Sequence, residues 1–410
     1  MTPAPSAPRT SDTATGTGTG TKTGTATGTD LGTSTGTDTG TDLYTLAAPW
    51  ADELNRDIDE WDARAEFPWD KWKAVQRSGL LTVPFEPRYG GRGAGLTDTM
   101  RALEGFGRTC RDAGLGFSAS TQIVSVGVPL QAFGSEELKA RFLPGIVAGD
   151  LVTAHAITER DNGSDALNIS TTAVRDGDDY VIDGGKMFIT NAPIADLFLL
   201  YVRTGAPGPF GLSVFLVERD TPGLRVGEPL DKMGLRTSPL SEVTFEGLRV
   251  PAARRIGQEG AGFLILDHVM KREILFSFSL TLGEMEHRLE RVVRFAKSRR
   301  QFGEPIGSFQ GVAHRIADMK IAVETARKWL TDTGAKVAAG QDASLDVAAT
   351  KTVVSEANKR TALDAVQIFG GQGYLTATGI ERDVRNAVGG TIYSGTSEIQ
   401  RNRIASLLGL

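Results

Sequence analysis

One cysteine and four histidines in 410 residues leave little from which to build a disulfide framework or a structural zinc site. Cys110 alone cannot close an internal disulfide, and it is most simply a small buried hydrophobe. An excess of positive charge is also lacking: 45 basic against 50 acidic residues give a net charge of −5, so no nucleic-acid partner is expected. No run of about 18 apolar residues is present, so no membrane span is expected. No apolar leader follows Met1, which leaves the cytoplasm as the default compartment. Strand–helix–strand alternation is missing too, which argues against a doubly wound nucleotide fold.

Large side chains are nearly absent from residues 1–42. That stretch holds 16 threonines and 8 glycines and, after Met1, one large apolar residue, Leu31. It cannot bury enough surface to offset its ordering entropy and is expected to be a disordered tail. The remainder divides by texture. Residues 43–150 read as a helical domain, with an amphipathic segment over Leu43–Phe67, a helix over Trp69–Ser78, and Ser135 opening a helix that runs to Ala148. Residues 151–256 carry short β-branched or aromatic runs (Thr171–Val174, Tyr180–Ile182, Leu197–Val202, Leu212–Val217, Glu242–Phe245) between Asp-Gly and Pro-Gly turns, which suggests an antiparallel barrel or sandwich. Residues 257–410 are helical again, with apolar stripes over Phe263–Arg300, His314–Val337 and Val347–Ile368 and a last helix after Thr396, which together make an antiparallel bundle.

Two short stretches carry chemistry. Ala156–Asp165, AITERDNGSD, contains a Gly-Ser-Asp turn whose N–H groups and hydroxyl suit a phosphate or a flavin edge. Lys186–Asn191, KMFITN, follows one hairpin later with an aromatic ring beside a hydroxyl. Together they resemble the flavin-binding signature of the acyl-CoA dehydrogenase family. Further matches stand in order at Phe133–Asp150, Asp231–Arg236 (DKMGLR), Arg300–Phe309 (RQFGEPIGSF), Gln367–Tyr374 (QIFGGQGY) and Ile392–Arg401 (IYSGTSEIQR). The resemblance spans about residues 45–410 and implies an α+β fold: an N-terminal helical domain, a central antiparallel β domain and a C-terminal four-helix bundle. It also implies bound FAD. Ile157, Thr158, Gly163 and Ser164 would line the flavin and pyrophosphate, Phe188 would lie against the isoalloxazine, and the Thr190 hydroxyl would face N5. Thr396 and Glu398 would stand at the adenine end. Arg299, Phe302, Gln367 and Gly371 would come from a neighbouring subunit, implying a homo-oligomer, a tetramer by family habit. Phe188 replaces the commoner Trp, and Arg160 the usual Pro.

The family's reaction draws the α-proton from an acyl thioester, on CoA or a carrier protein, while the β-hydride passes to the flavin. An electron-transfer flavoprotein is the kind of acceptor implied. Most members keep the base just before the Gly-Thr of the last motif. Here that position is Ser394, which is no base by itself and would only lend its backbone near the thioester. A branch typified by isovaleryl-CoA dehydrogenase carries its glutamate on the long helix instead, and counting back from Gly283 reaches Glu273. Helical spacing independently sets Glu273 among Leu266, Val269, Met270, Phe276 and Leu280, an apolar face where a carboxylate is costly without a role or partner. Two other readings stay open: a flavin monooxygenase on the same scaffold, and a FAD-binding subunit without activity. Glu159 is expected to be structural, and His155 to be a hydrogen-bonded core histidine.

Overall fold

The computed structural model describes residues 42–410, so the Thr/Gly tail, all but Asp42, lies outside the described residues. The segment expected as one amphipathic helix over 43–67 is instead broken into α1 (Ala51–Leu54) and α2 (Ile58–Arg64), with Asp57 and Ala65 in left-handed conformation at φ 51° and 55°. The break has a tertiary cause. Asn55 donates to the carbonyls of Ala51 and Thr109 and accepts from the Arg111 N–H, so its side chain ties the chain to a distant helix end. Next come α3 (Trp69–Ser78), α4 (Leu96–Thr109) and α5 (Ala113–Gln122), the last capped by Asp112. A π-turn (Ile123–Gly127) joins α5 to α6 (Val128–Phe133), and α7 (Glu136–Ala148) starts at Ser135, whose hydroxyl accepts from the Leu138 N–H as the sequence suggests. Ala113–Phe133 is one 21-residue helical run whose most apolar 18-residue window has a mean hydropathy of 1.2, long and apolar enough to cross a membrane. Its apolar window is 89% buried against the rest of the protein, which makes it a core helix.

The β layer contains β1 (Thr153–Ala156), β2 (Thr172–Asp176), β3 (Asp179–Thr190), β4 (Leu197–Arg203), β5 (Leu212–Glu218), β6 (Leu224–Val226), β7 (Leu240–Pro251) and β8 (Arg255–Ile256). The sheet order is β6-β7-β3-β2-β4-β5-β8, with β1 joined to β4. Most pairs are antiparallel, as expected, but β1 runs parallel to β4, and β2 meets β4 in parallel through Thr172 and Arg203. Alternate residues of β4 serve two cores. Leu197, Leu199 and Tyr201 pack with the helices, while Phe198, Leu200 and Val202 pack in the β layer. That double burial explains why the strand reads as a continuous apolar run.

After the sheet come α8 (Gly262–Ser298), a small hairpin of β9 (Arg300–Gln301) and β10 (Glu304–Pro305), then α9 (Gln310–Ala338), α10 (Ser344–Phe369), α11 (Ile380–Gly389) and α12 (Ser397–Leu407). The three long helices pack as a bundle, and α8 also crosses α4. At that crossing the two backbones touch: a Cβ on Gly283 would stand 2.0 Å from the Glu104 carbonyl oxygen, and one on Gly107 would stand 2.0 Å from that of Leu280. Only glycine permits the approach, and it sets how α8 presents the turns around Glu273.

Candidate active site

The β3–β7 ladder slips between Lys186 and Ile189, so one extra residue is inserted on β3. This bulge puts Phe188 at φ 60° and turns its ring outward, 57% exposed. Bulges re-aim side chains in this way. At the same place the Met187 N–H donates to the Thr158 carbonyl at 2.8 Å, which joins the strand to the turn that follows β1. Ile157, Thr158 and Thr190 are half-buried here, and Gly163 and Ser164 are exposed. Nothing approaches the Cβ position of Gly163 closer than the Thr158 methyl at 3.9 Å. Arg160, standing where the family has Pro, donates to Glu242 on β7 at 3.2 Å.

Beneath this turn lies an ion pair that local sequence patterns do not reveal. Lys186 Nζ is 2.8 Å from Glu159 Oε1 and donates to the Ile157 carbonyl at 3.1 Å. The Glu159 carboxylate also accepts from the N–H and hydroxyl of both Ser170 and Thr171 at 2.6–2.9 Å. Burial pushes this carboxyl up, but Lys186 and the four donors outweigh burial and hold it at about 2. Glu159 is therefore the structural anchor of the turn. Ser118 on α5 plays a similar part for the end of β3, with its hydroxyl 2.8 Å from Asn191 Oδ1 and from Ser238 Oγ. Lys186 and Asn191 belong to the KMFITN motif, but their partners are supplied by distant chain.

Glu273, on α8, is brought against Ser394, 121 positions away, whose hydroxyl donates to Oε1 at 2.5 Å. The two positions that different branches of the resembled family use for the base thus face each other. Ser394 adopts φ 55° in the turn before α12, and its carbonyl accepts from Gln400 Nε2 at 2.9 Å. The Glu273 side chain is 19% exposed, and its Oε2 lies 3.8 Å from Nδ1 of His155. Next to Ser394, Tyr393 stacks at 5.7 Å on Phe278 and meets Phe117 at 4.7 Å. Burial, with Glu284 and Glu273 adding to it, drives the Tyr393 phenol well above its ordinary range.

The remaining expected residues fall elsewhere. The Thr396 hydroxyl caps α12 by accepting from the Ile399 N–H at 3.2 Å, and Glu398 is exposed in the first turn. Arg299, Phe302, Gln367 and Gly371 are exposed at the far end of the bundle, where Phe295 stacks on Phe369 at 4.1 Å. Glu273 and Arg299 are separated by roughly 40 Å along the helical rise, so Arg299 does not reach the Glu273 carboxylate within one chain. His155 departs from the expectation of a satisfied core histidine: its Nε2 is buried without a hydrogen-bond partner. Cys110 is buried as expected, and burial pushes its thiol far up.

Sequence models of the N-terminal, middle and C-terminal domains of acyl-CoA dehydrogenase match residues 45–150, 154–248 and 260–409. The chain belongs to the acyl-CoA dehydrogenase family. Among its relatives, the L-prolyl-[peptidyl-carrier protein] dehydrogenase of Pseudomonas fluorescens is 41% identical over 342 residues, 83% of this chain and 90% of that protein. Among solved structures it resembles the prolyl acyl carrier protein oxidase AnaB, with 39% identity, a TM-score of 0.87, and coverage of 90% of this chain and 98% of that one. It also resembles PigA with FAD and proline, at 38% identity and a TM-score of 0.87 over 90% and 97% of the two chains. This acyl-CoA dehydrogenase is a FAD-dependent oxidoreductase acting on acyl thioesters. Its open, polar-lipped turn with an outward aromatic ring fits a flat cofactor that carries phosphates.

Proposed function

We propose that Glu273 is the base that draws the α-proton from the acyl thioester, and that the substrate is a compact prolyl-type acyl group borne on a carrier protein. The observation that carries the first part is the Glu273 carboxylate, largely removed from water and held by the Ser394 hydroxyl. The C–H bond breaks, its proton bonds to a carboxylate oxygen, and the electron pair moves toward the thioester carbonyl. A partly dry site favours this because few waters stand between the carboxylate oxygen and the proton it takes. FAD, when bound, supplies the sink for the β-hydride. Ile157, Thr158, Gly163, Ser164, Phe188 and Thr190 would seat its flavin side, with Thr396 and Glu398 toward its adenine end.

The second part is supported by the likeness to the Pseudomonas carrier-protein enzyme and to AnaB. The Phe117–Tyr393–Phe278 ring cluster beside the Ser394 turn suits a compact acyl group. Anaerobic mixing of the holoenzyme with prolyl-loaded carrier protein is expected to bleach the flavin, whereas long straight-chain acyl-CoAs are expected to bleach it slowly or not at all. Rapid bleaching by the long chains alone would overturn this substrate assignment.

A second copy of the chain would supply Arg299, Phe302, Gln367 and Gly371, which the family resemblance assigns to a neighbouring subunit and which are exposed at the far end of the bundle. The enzyme would then be a homo-oligomer.

Ser394 also has a measurable share. Hydrogen bonds to charged groups contribute about 1.5–3 kcal/mol, so Ser394→Ala is expected to slow thioester-driven flavin reduction roughly tenfold or more. Rapid-mixing kinetics at saturating substrate would report it, and an unchanged rate would detach Ser394 from the base.

A further inference from the structure

On β1, seven residues after α7 ends, the chain places an imidazole where a simple core would place an aromatic hydrocarbon. His155 pairs with Leu199 of β4 in the parallel ladder and lies on the sheet face that packs against the helices. Its ring stands edge-on to Tyr201 at 5.0 Å, the side chain is 10% exposed, and Nε2 has no hydrogen-bond partner. Burying a ring nitrogen unpaired is unfavourable, and a phenyl ring of similar shape would avoid it. What the imidazole offers is its other nitrogen, 3.8 Å from Glu273 Oε2. That gap exceeds a hydrogen bond, yet catalytic contacts are often long before substrate arrives and tighten in the complex.

We propose that His155 is a positioning residue for Glu273: its Nδ1–H steers Oε2 while the Ser394 hydroxyl holds Oε1, so the carboxylate is oriented from both of its oxygens. The proposal rests on Glu273 being the base. Two buried phenols lie near Glu273: Tyr201 from β4 and Tyr393 from the turn before α12. Burial drives both phenols well above their ordinary range. The α5 and β1 polar groups nearby, Ser118, Gln122 and Thr153, are uncharged and hydrogen-bonded to one another or to neighbouring backbone and side chains.

The test isolates proton abstraction from oxidation. A phenylacetyl thioester has α-hydrogens, but its β-carbon is a ring carbon without hydrogen. Its α-protons are followed by NMR as they exchange with D2O on the holoenzyme. His155→Phe is expected to exchange about tenfold more slowly than wild type, with thioester affinity, from equilibrium titration, unchanged. His155→Gln, which restores an N–H donor, is expected to regain most of the rate. A wild-type rate in His155→Phe would overturn the proposal, as would a Gln variant that binds FAD and melts normally but shows no rescue. Should the Phe variant fail to fold, His155→Leu takes its place, and exchange at the wild-type rate in that variant overturns the proposal. Glu273→Gln separates the two ideas: if it still exchanges, the base assignment itself falls. If it does not, while His155→Phe behaves as wild type, only the role of His155 falls.

Discussion

Glu273→Gln is expected to lower thioester-driven flavin reduction by about 10²–10⁴-fold while FAD stays bound. That range is what a positioned general base contributes, roughly 3–5 kcal/mol of barrier. The substitution keeps shape and volume and can still meet the Ser394 hydroxyl through its amide oxygen, so the fold has no reason to loosen. The Glu273 side chain contacts Ser394 and His155, neither of which belongs to the turn after β1 or to the bulge at Phe188. Anaerobic rapid mixing measures the rate and the visible flavin spectrum measures occupancy. Reduction at the wild-type rate would place the base elsewhere and would remove the argument from the carboxylate's position.

The second large effect concerns stability. Glu159→Gln leaves Lys186 buried and without its counter-ion, and breaking such a pair costs about 3–5 kcal/mol. The pH dependence has a definite sign. The Glu159 carboxyl is depressed from 4.5 to about 2 in the folded protein, because Lys186, Ser170 and Thr171 together outweigh the opposing push of burial. A group depressed on folding contributes stability above its unfolded value, and that contribution is lost as pH falls from about 4.5 toward 2. The amount is about 3 kcal/mol at neutral pH by linkage. Urea unfolding at a series of acid pH values is therefore expected to show a shallower decline for Glu159→Gln than for wild type. Parallel declines would mean that the pair does not govern acid stability. The same substitution is expected to weaken FAD retention, since Glu159 anchors the turn that carries Gly163 and Ser164.

Much of the architecture is written locally. The Ser135 cap, the Asp176-Gly177 and Pro-Gly turns and the apolar stripes of α8, α9 and α10 each depend on residues within one or two turns of one another, and they appear in the structure as the spacing suggests. Asp183-Gly184-Gly185 does not turn the chain: β3 runs through it with a register shift against β7. The motifs AITERDNGSD and KMFITN mark the turn and the bulged strand for the same reason: a left-handed residue or an open glycine is a property of a few consecutive residues. The 43–67 segment shows where local reading stops. Its spacing suits one helix, but Asn55 spends its amide on the Thr109 carbonyl and the Arg111 N–H, and the chain breaks there. Four-residue β1 is equally hard to see, because its alternation is too short to register and its partner, β4, lies some 40 positions later.

Composition and local spacing set which residue types are available: one carboxylate on an apolar helical face, one serine where a glutamate commonly stands, two glycines thin enough for a pair of helices to touch. Tertiary structure decided that the carboxylate and the serine meet across 121 positions, that an imidazole stands beside them, and that Lys186 neutralises Glu159. Local periodicity records only which side of a helix or strand is apolar. Which opposite face it meets is settled by burying all such faces at once, with close backbone approach allowed only where a side chain is missing.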